Sequence, residues 1–101
     1  PAMDSCPGHE IWTRDFTGST SVFSFVFDDH IRAEQVINFI NNLEIFRIGM
    51  SWGGVNSLAV IYPDLIRPNY DLAGRIVRLN IGLEVVDDLI ADLDQALKKM
   101  L

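Results

Sequence analysis

The sequence predicts one α+β domain, with about four strands in a mainly antiparallel sheet and the helices on one face of that sheet. Three segments alternate apolar and polar residues with the period of a strand, and a fourth is a short apolar run. Two further segments repeat apolar residues at helical spacing. Two connections between successive strands are too short for a crossover helix, so we expect those neighbours to pair antiparallel. A chain of 101 residues has room for a single hydrophobic core.

The first half of the chain predicts a lead-in, a strand and a helix. Residues 1–18 are rich in Pro and Gly at their start and predict a linker, with a short helix over Glu10–Phe16. The segment Ser21–Phe27 alternates strictly and places three phenylalanines on one face. The helix after it ends near Asn41–Asn42, and one of its faces carries Ala33, Val36, Ile37 and Ile40. We expect this helix to cover the phenylalanine face.

The second half predicts three strands and a closing helix. The strands are Ile45–Trp52, Ser57–Tyr62 and Arg75–Ile81, and Gly, Pro or polar turn residues separate them. The closing helix has acidic residues in its first turn and Lys98 and Lys99 in its last, as the helix dipole favours. Its apolar stripe consists of Val86, Leu89, Ile90, Leu93, Leu97 and Met100.

Composition narrows the class of protein. Residues 19–101 are expected to form the domain, and the opening at Pro1 rather than Met suggests a piece of a longer protein. A formal charge of -6 without a basic patch predicts no nucleic-acid partner. The single cysteine, Cys6, cannot form an internal disulfide, and no apolar run approaches the roughly 20 residues that cross a bilayer. We therefore expect a cytoplasmic protein without membrane contact.

Few residues have the spacing of a self-sufficient active site. The chain has no metal-spaced Cys/His cluster, no phosphate-binding Gly loop and no GxSxG motif. His9 and His30 lie in predicted loops, where they are most simply solvated. The acidic residues of the closing helix are interpreted as a solvated face without chemistry, and they are Asp87, Asp88, Asp92 and Asp94. The sequence therefore predicts no catalytic residue and no metal ligand.

Arg78 is the strongest candidate for a binding residue. Val77 and Leu79 occupy one face of its strand, so Arg78 projects from the other. It is either a solvated or ion-paired arginine on an open sheet face, or a fork that holds a carboxylate with two parallel hydrogen bonds. The segment Ser51–Gly54 also has two interpretations, an ordinary turn after a strand or the rim of a binding loop.

Several blocks of the sequence resemble the Cys/Met-metabolism family of pyridoxal-phosphate (PLP) enzymes. The similarity covers nearly the whole chain, although residues 28–48 and 61–73 match mainly in hydrophobic pattern. The blocks that carry it are Gly8–Ser19, Phe23–Val26, Ser51–Leu58, Ile76–Glu84 and Asp87–Leu93. The last two blocks together resemble the C-terminus of these enzymes.

The resemblance implies that the chain is the small C-terminal domain of a fold-type I PLP enzyme. In such enzymes a large domain holds the cofactor on a lysine, and the small domain helps to bind the amino-acid substrate. By resemblance, Arg78 pairs with the substrate α-carboxylate, while Ser51 and Trp52 line the same pocket. The only lysines are Lys98 and Lys99, far from any cofactor motif. We therefore expect PLP to be bound outside this chain, and the chain to be inactive alone.

The implied reaction is the cleavage of cystathionine to homocysteine, pyruvate and ammonia in methionine biosynthesis, with PLP as electron sink. Trp52 favours this β-elimination, because related enzymes more often carry an aliphatic residue there. The alternatives within the family are γ-synthase, γ-lyase and methionine γ-lyase activities. An alternative of another class is a free-standing α+β module that binds a small carboxylate through Arg78. The family further implies a homotetramer for the full-length enzyme.

Overall fold

The computed structural model describes all residues from Pro1 to Leu101 and contains three helices and four strands. Their bounds are α1 His9–Asp15, β1 Val22–Val26, α2 Ala33–Asn41, β2 Arg47–Ile48, β3 Leu58–Ile61, β4 Ile76–Asn80 and α3 Val86–Met100. The helix α1 buries none of its residues. None of the helices combines the length and the apolar character that a membrane span requires.

The four strands form one sheet in the order β1-β4-β3-β2. The strand β4 lies inside the sheet and pairs antiparallel with β1 on one side and with β3 on the other. In the register, Arg78 stands opposite Ser24 of β1 and Val60 of β3. The α+β class and the mainly antiparallel sheet are thus as predicted.

The strand β2 differs from its prediction in length and in direction. It covers only Arg47–Ile48 instead of Ile45–Trp52, and it pairs parallel with β3, where we expected an antiparallel pair. A parallel pair normally needs a connection of a dozen or more residues. Because β2 is two residues long, the chain has to return by only about 7 Å. The segment from Gly49 to Ser57 is ample for that return.

The hydrophobic core lies between one face of the sheet and the helices α2 and α3. The helix α2 contacts both β3 and α3, so the two helices cover the same face of the sheet, as predicted. Burying one large aliphatic or aromatic side chain contributes roughly 1.5–3 kcal/mol. The buried cluster comprises Ile31, Val36, Phe39, Ile40, Phe46, Ala59, Val77, Leu79, Leu89, Ala96 and Met100.

Three aromatic rings join β1 to α2. The rings of Phe25 and Phe27 each meet Phe39 edge to face, with centroid separations of 6.5 Å and 5.5 Å. This is the geometry that aromatic pairs prefer, and it confirms that α2 covers the phenylalanine face of β1. The helix α2 does not bury Phe23, the first phenylalanine of the strand, which remains 45% exposed.

The buried face of α3 is rotated from the predicted one. Leu89, Ala96 and Met100 are buried, whereas Ile90 and Leu97 are 59% and 39% exposed. Asp92 lies on the buried side and is only 4% exposed, so its assignment to a solvated acidic face was wrong. The reason is a set of backbone donors that sequence periodicity does not reveal.

Asp92 binds the backbone at the end of the connection between α2 and β2. Its carboxylate accepts hydrogen bonds from the amides of Glu44 at 2.8 Å, Ile45 at 2.8 Å and Phe46 at 3.1 Å. The amide of the Gln95 side chain donates a fourth at 3.0 Å. Burial by itself raises the pKa of Asp92, but these donors stabilise the charged form more, and the pKa lies below its ordinary value.

We expect Asp92→Asn to lower the free energy of unfolding by about 2–3 kcal/mol, because an amide group in place of one carboxylate oxygen leaves buried backbone donors without an acceptor. Denaturant unfolding of the 101-residue chain at neutral pH measures this loss. Asp94→Asn is the matched control, since Asp94 is exposed and pairs only with Lys98 one turn away. The control substitution should lower the free energy of unfolding by about 0.5 kcal/mol or less.

The same contact predicts how stability depends on pH. A carboxyl group whose pKa is lower in the folded state stabilises the fold above its unfolded-state pKa, which is near 3.8 for Asp. That contribution is lost as the pH falls through the lower folded-state pKa. The difference in stability between the native chain and Asp92→Asn should therefore shrink below about pH 4. A difference that stays constant down to pH 2 would contradict the assignment.

Candidate functional site

Arg78 lies at the middle of β4 on the face of the sheet that the helices leave open. Its strand neighbours Val77 and Leu79 are 0% and 2% exposed on the core side, as the alternation predicted. On the open side it is flanked in register by Ser24 and Val60. A central strand is hydrogen-bonded on both edges, so the backbone that carries Arg78 is held firmly.

The guanidinium of Arg78 is anchored at one nitrogen and free of acidic partners. Its Nη2 donates to the carbonyl oxygen of Met50 and, at 3.4 Å, to that of Ser51. Its central carbon lies 5.7 Å from the centroid of the Tyr62 ring, in the range of a cation–π contact. No Asp or Glu oxygen lies within 4.0 Å, and neither Nε nor Nη1 donates to a protein acceptor.

A second arginine of the same strand region shows the contrast. Arg75 is 8% exposed, and its guanidinium donates to the backbone oxygens of Phe27 at 3.2 Å and Asp71 at 2.8 Å. The carboxylate of Asp71 lies 3.8 Å away from it. Arg75 is therefore a structural arginine whose charge is balanced within the chain. Arg78 keeps an unbalanced charge and unused donors on an open face.

The other two predicted site residues lie in the loop that passes Arg78. Ser51 meets Arg78 through its backbone carbonyl, while its side chain is exposed. Trp52 follows it and is 67% exposed. The structure thus brings Ser51 to Arg78 through the main chain and places Trp52 at the adjacent position of the same loop.

Tyr62 and Asn80 belong to this site and were not assigned to it from sequence. Strand alternation predicts that Asn80 shares the face of Arg78, two residues away, and it could also have indicated Tyr62, which lies two residues after Val60. Asn80 is 1% exposed. Its Oδ1 accepts from the amide of Gly53 at 2.9 Å, and its Nδ2 donates to the carbonyl oxygen of Asn56 at 3.3 Å.

Glu84 holds the far end of the same loop. Its carboxylate accepts from the amide of Ser57 at 2.8 Å and from the Ser57 hydroxyl at 2.7 Å. The backbone donor of Ser57, followed by its hydroxyl, keeps the pKa of Glu84 below its ordinary value. The Ser57 hydroxyl in turn accepts from the amide of Gly82 at 2.8 Å. A Cβ atom at Gly82 would overlap the backbone of Asn56, so this close approach requires glycine.

The residues of this chain do not fit the covalent site of a PLP cofactor. Lys98 and Lys99 lie in the last turn of α3, where their Nζ atoms are 2.6 Å from Asp94 and 3.7 Å from Glu44. Both are surface ion pairs with exposed side chains, and neither amine is desolvated as a Schiff-base lysine requires. No group of three or more His, Cys, Asp or Glu is arranged to hold a metal ion.

Comparison with known proteins gives the family. The model of the Cys/Met metabolism PLP-dependent enzymes matches residues 1–98. Cystathionine β-lyase MetC of Escherichia coli is 47% identical over 93% of this chain, and cystathionine β-lyase of Haemophilus influenzae is 42% identical over 99%. The chain spans only about a quarter of the length of these relatives, 25% and 27% respectively.

A solved structure agrees with the sequence comparison. The crystal structure of a protein assigned as an O-acetylhomoserine (thiol)-lyase from Campylobacter jejuni, which contains a pyridoxyl-lysine phosphate, superposes with a TM-score of 0.76 at 26% identity. The match covers 97% of this chain and 22% of that one. The chain belongs to the Cys/Met metabolism family of PLP-dependent enzymes.

Proposed function

We propose that this chain is the C-terminal, substrate-binding part of a PLP-dependent carbon–sulfur lyase that cleaves cystathionine to homocysteine, pyruvate and ammonia. The family match and the 42–47% identity to cystathionine β-lyases support this substrate. In the full-length enzyme, which we expect to be a cytoplasmic homotetramer, a lysine outside this chain holds PLP. The bound cofactor supplies an electron sink for the electrons released at the substrate Cα.

The observation that carries the proposal is the unpaired guanidinium of Arg78. An arginine without an acidic partner, on an open sheet face, keeps its Nε and Nη1 donors for a carboxylate. The bond from Nη2 to the Met50 carbonyl limits the rotation of the guanidinium, so less entropy is lost when a ligand binds. We assign Arg78 to the α-carboxylate of the substrate. Ser51 and Trp52, in the loop beside it, would line the same pocket.

The chemical role of this contact is orientation. A carboxylate held by Arg78 fixes the position of the substrate Cα, so that its C–H bond meets the catalytic base in a reactive geometry. Correct placement of two reacting groups can supply several kcal/mol of the barrier reduction. The chain itself moves no proton in this proposal, since its lysines are committed to surface ion pairs.

Other reactions of the family remain the second candidate. Human cystathionine γ-lyase is 34% identical over 98% of this chain, and an L-alanine/L-glutamate racemase of Wolbachia pipientis is 37% identical over 99%. Similar sequence therefore accompanies different reactions. The higher identity to the β-lyases favours β-elimination. The family match gives no support to a free-standing carboxylate-binding module.

We expect the isolated 101-residue chain to bind PLP no better than an unrelated protein with two surface lysines, because no buried amine is present. Dialysis after incubation with PLP, followed by absorbance spectroscopy, measures this. Lys98→Ala/Lys99→Ala is the control and should remove whatever weak labelling occurs. Stoichiometric cofactor that survives dialysis would place the binding lysine within this chain.

In the full-length enzyme we expect Arg78→Ala to reduce kcat/KM on cystathionine by the equivalent of roughly 2–5 kcal/mol, the cost of leaving a buried charge without its partner. Arg78→Lys should recover part of the loss, because an ammonium keeps the charge but lacks the bidentate fork. Arg67→Ala is the matched control, since the only side-chain bond of Arg67 is a long one to the adjacent Ile66 carbonyl. It should leave kcat/KM unchanged.

Two inhibitors separate carboxylate binding from a general disturbance of the site. A free amino acid and its α-amide are compared as competitive inhibitors, with cofactor absorbance checked in every variant. Arg78→Ala should weaken the binding of the free amino acid much more than the binding of its α-amide. A loss of kcat/KM below about tenfold, which corresponds to 1.4 kcal/mol, would make Arg78 a structural residue.

A further inference from the structure

We propose that Asn80 is a positioning residue for the substrate site, and that it acts by fixing the loop that carries Ser51 and Trp52. The inference rests on the proposed function, because it needs a ligand beside Arg78. Asn80 is fully enclosed and contacts this loop with both ends of its side-chain amide. It touches the loop backbone and is assigned no contact with the substrate.

Arg78 and Asn80 together hold consecutive peptide units of the loop. Arg78 binds the carbonyl oxygens of Met50 and Ser51, which belong to the first two units. Asn80 accepts from the amide of Gly53, which belongs to the peptide unit whose carbonyl is that of Trp52. Two side chains spaced by two positions on one face of β4 therefore define the path of the main chain from Met50 to Gly53.

Hydrogen bonds have to fix this loop because its apolar side chains do not. Met50, Trp52 and Val55 are 70%, 67% and 64% exposed, so they contribute little packing against the domain. Gly53 has φ +78, and since glycine adopts positive and negative φ about equally readily, its own backbone preference does not fix the loop. Glu84 holds the loop again at Ser57, beyond the segment that faces Arg78. The Asn80 bond is thus the restraint next to Trp52.

This arrangement predicts different roles for Arg78 and Asn80, which are neighbours on the outer face of β4. Arg78 recognises charge, whereas Asn80 determines where the exposed apolar side chains of the loop meet the rest of the substrate. Loss of Asn80 should therefore raise KM more than it lowers kcat. It should leave the preference for a free amino acid over its amide intact, because the guanidinium of Arg78 remains.

The test uses the full-length holoenzyme with Asn80→Leu, which has the same branched shape and makes neither hydrogen bond. We expect KM for cystathionine to rise about tenfold, which corresponds to about 1.4 kcal/mol of lost binding. Asn69→Ala is the matched control, because the Asn69 side chain is exposed and lies outside the loop that Asn80 binds. Its KM should stay within twofold of the native value.

A second variant and the thermal midpoint keep the test decisive. If Asn80→Leu does not accumulate as holoenzyme, Asn80→Ala decides, because it removes both bonds and cannot overpack the site. A lowered thermal midpoint with KM equal to that of Asn69→Ala would overturn the positioning role. So would a loss of discrimination between amino acid and amide, since Asn80 would then act through the Arg78 fork.

The outcome for Arg78 distinguishes this inference from the proposed function. If Arg78→Ala loses more than tenfold in kcat/KM while both Asn80 variants keep a native KM, the inference fails and the proposed function stands. If Arg78→Ala has native kcat/KM, the substrate site is not at this face. Both proposals then fail together.

Discussion

The rest of this structure depends on how the backbone between Glu44 and Ser57 satisfies its hydrogen bonds. Only two residues of that segment, Arg47 and Ile48, form a strand, so most of its polar groups need partners outside the sheet. Side chains supply them from two directions. Asp92 of α3 accepts from the amides at the start of the segment. Outward residues of β4 and the carboxylate that follows it bind groups further along the segment, and these are Arg78, Asn80 and Glu84.

This constraint explains why β4, an inner strand of the sheet, is suited to carry the proposed site. Its inner face is part of the core through Val77 and Leu79, and both of its edges are paired. Side chains on its outer face therefore start from a rigid base, which a binding site requires. The same outer face organises the adjacent loop. The proposed binding surface consists of the outer face of β4 and this loop, and β4 positions both.

Charge distribution makes the exposed arginine informative. The chain has 14 acidic and 8 basic residues, so acidic partners are plentiful. Arg14, Arg32 and Arg75 each lie within 4.0 Å of a carboxylate oxygen. Arg78 does not, and instead it binds neutral carbonyl oxygens that leave its charge uncompensated. Arg47 and Arg67 also lack a carboxylate within 4.0 Å, so what distinguishes Arg78 is an uncompensated charge on an inner strand of the sheet, beside a loop that it binds.

The sequence by itself determined the α+β class, the order of helices and strands, the outward direction of Arg78 and the family. These properties follow from local periodicity and from blocks of contiguous residues. The tertiary structure alone decided the parallel pairing of β2, the burial of Asp92 and the anchoring of the loop by Asn80 and Glu84. The contacts responsible join residues 11 to 48 positions apart, and whether such groups meet depends on how the elements pack. Periodicity is a property of one element, so it cannot report a hydrogen bond between two.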